Sequence, residues 1–223
     1  MTKNWNWKTK REKPAFLALQ DGTVYHGYTI GAEVDVLGEV VFNTGMTGYQ
    51  EILSDPSYNG QIVTMTYTEI GNTGMNDEDP ESARLFANGF IVHEDNRPRN
   101  WRSSVSLTDA LKRNGIPALA GIDTRALTTK LRQCGTLRGY LCATGRLSED
   151  DAVKRALEWE GLDGQDYARR VTCEAPYNWD EDLRHSTSWG MPADVPEADL
   201  TVVAYDFGIK WNILRRLRQQ GME

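Results

Sequence analysis

Gln20-Asp21-Gly22 separates two runs suited to β-structure, AFLAL at 15–19 and TVYHGYTI at 23–30. An Asp-Gly pair supplies the left-handed backbone that a tight hairpin turn requires, so the spacing predicts that the chain opens on an antiparallel hairpin. That commits the rest of the chain to joining or covering a sheet. GEVVFN (38–43), QIVTMTY (61–67) and GFIVHE (89–94) are further runs rich in β-branched and aromatic residues, and GNTG (71–74) and residues 76–80 predict loops.

Beyond residue 100 the period changes. Ser106, with Asp109 three residues on, predicts a capped helix to about Asn114, closed by Gly115 and Pro117. PALAG (117–121) reads as a brief buried strand. Asp123 caps a second helix with Leu127 and Leu131 on one face and Gly135 at its end, and LRGYLCAT (137–144) returns to strand. Strands followed by strand-helix alternation point to a β/β/α layered domain ending near residue 146.

Between two of these strands lies a long polar segment, FNTGMTGYQEILSDPSYNGQIV (42–63). Thr47-x-x-Gln50 has the spacing of a capping box and predicts a turn or two of helix. Pro56 stops that helix at Asp55, because the residue before a proline disfavours helical backbone. Pro56 then presets a tight turn through Ser57 and Tyr58, and Asn59-Gly60 reverses the chain. Ser57 is thereby set on a rigid corner with a hydroxyl that can donate and accept; on the local chemistry alone a serine after proline in a turn reads as structural rather than functional.

Residues 147–199 differ in kind, with fourteen Asp and Glu against five Lys and Arg. Ser148 predicts one capped amphipathic helix; the rest, with Pro176, Pro192 and Pro196, reads as an acidic linker. In the final stretch, LTVVAYDFGIKWNILRRLRQQGME, TVVAY has the continuous apolar character of a buried parallel strand, and a helix comes after it with Ile213, Leu214 and Leu217. A parallel strand needs neighbours, so the sequence reads as a fragment of a longer polypeptide.

The chemistry on offer is sparse. Cys134, Cys142 and Cys173 are odd in number and widely spaced, and none follows a strand-turn-helix elbow, which favours reduced, incidental thiols and a cytoplasmic setting. His26, His93 and His185 are scattered without metal-ligand spacing, so no metal is expected. GIDTR (121–125) could offer a helix N-terminus to an anion, as any capped helix does. A formal net charge of −7 argues against nucleic acid as partner. The exception is a basic tail at 1–13 carrying Lys3, Lys8, Lys10, Arg11 and Lys13 with Trp5 and Trp7, best read as a frayed end or a partner-binding extension. No apolar run approaches a bilayer's thickness, and no secretory signal precedes the first strand.

GEVVFNTGMTGYQEILSDPSYNGQIV, IGNTGMND, GIDTRALTTKLR and VVAYDFGIKWNILRRL, taken together and in this order, resemble the small, glutamine-hydrolysing subunit of carbamoyl-phosphate synthetases over residues 15–223. The resemblance implies an α/β fold with two domains, a swivelling β/β/α domain at 14–146 and, at 199–223, the first β-α unit of a truncated class I glutamine amidotransferase domain with a flavodoxin-like sheet; the linker at 147–198 joins them, and the tail at 1–13 is an extension outside the resemblance. It implies glutamine hydrolysis by a Cys-His-Glu set lying outside this chain, with ammonia passed to a large subunit that uses ATP and magnesium to make carbamoyl phosphate from bicarbonate for arginine and pyrimidine synthesis. No catalytic residue and no cofactor fall to this chain. Of the family's site residues only the serine of Asp-Pro-Ser-Tyr, here Ser57, carries over, as a contact to glutamine. Gly45 stands where some relatives have serine, which suggests altered backbone freedom there. The alternative implied role is a non-catalytic scaffold that retains only the large-subunit interface.

Overall fold

The computed structural model describes residues 11, 13–187 and 194–223; most of the basic tail therefore lies outside the described residues. Seven strands form the frame: β1 (Pro14–Leu19), β2 (Val24–Thr29), β3 (Val36–Asn43), β4 (Gln61–Met65), β5 (Gly89–Ile91), β6 (Ala118–Ala120) and β7 (Leu137–Cys142). The expected hairpin forms between β1 and β2, with Leu17 opposite Tyr25. Gly22 turns the chain at φ 89°, a value that costs glycine nothing and an L side chain considerably.

The strands close into one barrel, in the order β1-β2-β6-β5-β4-β3-β7. β1, β2 and β7 pair antiparallel, whereas β3, β4, β5 and β6 run parallel. Parallel neighbours need a crossover rather than a hairpin. The polar segment between residues 43 and 61 is that crossover, joining β3 to β4 with Val40 opposite Ile62. It carries helix α1 (Tyr49–Ser54) and a 3₁₀ turn (Pro56–Tyr58).

Alternation along the strands assigns each apolar residue to a face. Leu17, Leu19, Val40, Ile62, Ile91, Leu119 and Leu141 fill the barrel, together with Leu127 and Leu131 of α3 (Thr124–Cys134). On the outer face of the parallel strands, Val63, Met65, Phe90, Val92 and Ala118 are covered by Tyr49 and Leu53 of α1 and by Leu107 and Leu111 of α2 (Leu107–Arg113). Burial on both faces is why β4 to β6 read as continuous apolar runs. Against β1 and β7, Phe16, Ala18, Tyr140 and Cys142 pack on Ala152 and Ala156 of α4 (Glu149–Glu158). Ser106, Asp123 and Ser148 cap their helices as expected, each side chain accepting a backbone N–H of the first turn. Among the described residues no helix is long and apolar enough to cross a membrane.

A short α5 (Tyr167–Val171) lies in the acidic segment, and α6 (Trp211–Gln219) closes the described chain. The strand expected at TVVAY does not form. Leu200 makes a single bridge to Met222, and Val203, Tyr205 and Phe207 are 84%, 84% and 68% exposed. No described strand lies alongside to complete a ladder, and an apolar run cannot become a strand without one.

Candidate functional site

The crossover from β3 to β4 is built as a braced corner. Helix α1 starts at Gly48, whose φ is 79° and which offers no side-chain cap. Thr47 is thus not the cap that the capping-box spacing implied. Gln50 is used elsewhere: its amide oxygen accepts from Asn76 N–H at 2.9 Å and its amide N–H donates to the Asn76 carbonyl. Tertiary contact has claimed the group that a local box would have used. The helix ends at Asp55, where ψ is 118°, as the following proline requires.

Asp55 then caps the 3₁₀ turn, accepting Ser57 N–H at 2.9 Å. Tyr58 and Gly60 anchor the far side: the Tyr58 hydroxyl accepts from the Asn43 amide at 3.0 Å, and Gly60 N–H donates to Asn88 Oδ1 at 3.0 Å. Ser57 stands exposed at the tip, with its backbone fixed from both sides. Gly45, nearby, has its N–H bound to Asn43 Oδ1 at 2.7 Å and is not left-handed, so the backbone freedom expected of it is not in use.

A segment 150 residues further along the chain meets this corner. Asp206 Oδ1 accepts the N–H groups of Gly208 and Ile209 at 2.8 and 2.9 Å, forming a tight loop. Gly208, at φ 94°, rests against Pro56 and Val171 so closely that a Cβ there would lie 3.0 Å from Pro56 Cβ and 2.7 Å from Val171 Cγ2. Next to it Lys210 Nζ pairs with Asp55 Oδ2 at 2.6 Å. The bond to Asp55 raises the Lys210 pKa and outweighs the opposing effect of burial. Asp55 therefore has two partners, Ser57 in its own turn and Lys210 in the distant segment. Its side chain is 9% exposed, so neither can leave without cost.

Behind the corner, loop 76–82 joins α1 to α6. Glu81 N–H donates to Ser54 Oγ at 2.9 Å, and the Ser82 hydroxyl donates to the Ser54 carbonyl. Arg102 holds Asp79 in a two-pronged pair at 3.0 and 2.7 Å. Arg215 of α6, 3% exposed, donates to the carbonyls of Glu78 and Pro80 at 3.1 Å each; desolvation pulls its pKa down. Pro56, Arg84, Arg170, Trp179, His185 and Trp211 line part of a cavity of about 760 Å³ beside the corner, and Ser57 is not in its wall.

The remaining candidates are dispersed. Cys134 is exposed, Cys142 is buried in β7 at 3.8 Å from Asp35, and Cys173 is half-buried; all three are free. His26 lies 3.6 Å from Glu149, His93 Nδ1 is 3.3 Å from the Ile122 carbonyl, and His185 packs against Trp179 and Trp211, which also touch each other. Among the described residues no cluster of three or more His, Cys, Asp or Glu could hold a metal ion. Lys210, Glu81 and Arg215 are what sequence reasoning missed. From the sequence Asp55 reads only as the end of the helix before Pro56, and no local signal pairs it with a lysine 155 positions away.

The family model for the carbamoyl-phosphate synthase small chain, CPSase domain, matches residues 17–141, which run from β1 to the penultimate residue of β7. The carbamoyl phosphate synthase small chain of Thermosynechococcus vestitus is 48% identical over 209 residues, covering 93% of this chain and 54% of that one. That of Pseudomonas aeruginosa is 48% identical over 218 residues, covering 94% and 56%. This chain thus spans little more than half the length of these relatives. Among solved structures, an aminopeptidase from Aneurinibacillus sp. strain AM-1 overlaps 57% of this chain and 30% of its own at 16% identity and a TM-score of 0.31, which carries no argument about the fold. With its barrel matched from first strand to last and curated relatives nearly half identical over 93% and 94% of its length, the chain belongs to the carbamoyl-phosphate synthase small chain family.

Proposed function

We propose that this chain is the N-terminal portion of a glutamine-hydrolysing small subunit, and that its corner at residues 55–58 forms one wall of the glutamine site. In the full-length subunit, glutamine is hydrolysed by a Cys-His-Glu set outside residues 1–223, and the ammonia passes to a large subunit. That partner uses ATP and magnesium to make carbamoyl phosphate, and this chain binds neither. Ser57 hydrogen-bonds the main-chain groups of glutamine through its hydroxyl. The 14–146 unit docks on the large subunit, and 199–223 opens the amidotransferase domain. Free thiols, one of them exposed, agree with a cytoplasmic setting.

The observation that carries this reading is the junction of the corner with residues 206–210, in a chain whose barrel matches the family from end to end. An exposed serine whose backbone is clamped by Asp55, next to the Pro56 that meets a second segment, is pre-organised to bind at a reduced ordering cost.

Two measurements test it. In the full-length subunit, Ser57→Ala lowers kcat/KM for glutamine by a loss of about 1 to 3 kcal/mol, as for a hydrogen bond to a charged group; an unchanged value would return Ser57 to a structural role. The 223-residue chain, given glutamine and a cognate large subunit, releases no ammonia above background, and measurable turnover would contradict the assignment of the nucleophile to the rest of the subunit.

A further inference from the structure

Helix α6 has no side-chain cap of its own. Lys210 occupies the cap position without a side-chain bond to the helix, yet the first amides of a helix need acceptors. They find them in the 76–82 loop: Trp211 N–H donates to the Glu81 carbonyl and Asn212 N–H to Glu81 Oε2, both at 2.9 Å. A carboxylate is the favoured group at this end of a helix, where the backbone dipoles present their positive pole.

Glu81 faces the other way as well. Its own N–H is fixed on Ser54 Oγ at 2.9 Å, at the last residue of α1 and one position before Asp55. One residue therefore joins the end of the helix that leads into the corner to the start of the helix just after residues 206–210. Arg215 secures the loop from below through the carbonyls on either side of Asp79. The Lys210–Asp55 pair makes a second attachment at 2.6 Å, and with two attachments the 206–210 loop has one position against Pro56 rather than several.

We infer that Glu81 is a positioning residue for the corner: by capping α6 from outside the helix it sets where Gly208 and Lys210 stand against Pro56 and Asp55, and with them the surface beside Ser57. Glu81 itself touches no substrate and acts through α6. The functional half of the inference rests on the glutamine reading of Ser57; the capping half does not.

The two halves are tested separately. In the 223-residue chain, Glu81→Ala, which removes the carboxylate but keeps the main-chain carbonyl that holds Trp211, speeds hydrogen exchange at the Asn212 amide by about tenfold while amides of β4 and β7 keep their protection. Glu81→Gln, which keeps an acceptor at the same reach, restores protection to within about threefold, whereas Glu81→Asp, about 1.5 Å shorter, does not. Exchange unchanged in Glu81→Ala overturns the inference. In the full-length subunit, Glu81→Ala raises KM for glutamine by about tenfold with kcat within about twofold, and Glu81→Gln recovers it. An unmoved KM, or a KM that Gln fails to restore, overturns the positioning role. If Ser57→Ala leaves glutamine use intact while the exchange result holds, the glutamine reading falls and the cap stands.

Discussion

Tyr49 shows what a single residue contributes to the corner. It is 2% exposed, its hydroxyl donates to the Gly74 carbonyl at 2.7 Å and accepts from Thr73 Oγ1 at 2.8 Å, and burial pushes its pKa up to about 12. A phenol whose folded value lies above its unfolded one costs nothing below pH 10 and loses stability as pH rises toward 12, where the unfolded chain ionises first. That loss approaches roughly 2 to 3 kcal/mol at the top of the window. Tyr49→Phe removes it at the expense of about 1 kcal/mol at neutral pH, so urea unfolding of the two proteins at pH 7 and pH 11.5 reverses their order; parallel curves would refute the assignment. Lys210 titrates in the same alkaline range. Its raised pKa means that its contribution is complete below about pH 10.5 and fades as pH rises through the folded value. With the lysine 45% exposed, Lys210→Met costs only about 0.5 to 1 kcal/mol at pH 7, measurable by chemical denaturation, and a neutral outcome would mean that solvent screens the pair fully.

Whole elements were legible where their signals are local. The Asp-Gly hairpin and the helices capped by Ser106, Asp123 and Ser148 formed where the sequence placed them, because a turn residue or a cap acts within four positions of itself. Replacing Ser148 by Ala costs about 1 kcal/mol of stability, read by thermal unfolding, since one first-turn amide of α4 loses its acceptor. Local reasoning failed at α1, where Asn76 took Gln50 from the capping box, and at TVVAY, where no described strand offers a ladder partner. Gly208→Ala belongs at this scale too. A methyl group there meets Val171 and Pro56 in a backbone region that L residues avoid, so the 206–210 loop leaves the corner, and exchange at the α6 amides rises by about tenfold or more while the barrel is untouched.

At the scale of the molecule, the three buried clusters draw, among the described residues, only on those between 15 and 156. Since hydrophobic burial is the main favourable term in folding, a chain ending at residue 198 retains the barrel's cooperative unfolding, with a urea midpoint close to that of the 223-residue chain. A non-cooperative transition would show that α6 belongs to the folding unit. The same truncation removes exposed Val203, Tyr205 and Phe207, so it lowers binding of an apolar dye, the behaviour expected when a contiguous apolar surface is lost. The sequence by itself determined the strands of the barrel, most of the helices, the stop at Asp55 and the rigid turn through Ser57, because those depend on backbone propensity and on side chains a few positions apart. It also carried the family likeness in its long motifs. Only the tertiary structure decided that the strands close into a barrel, that residues 43–61 form a crossover between parallel neighbours, and that Asp55 and Glu81 receive Lys210 and α6. Barrel closure depends on pairings such as Tyr28 with Ala120, and the junction on contacts across more than 130 residues; neither leaves a periodic trace in the segments it joins.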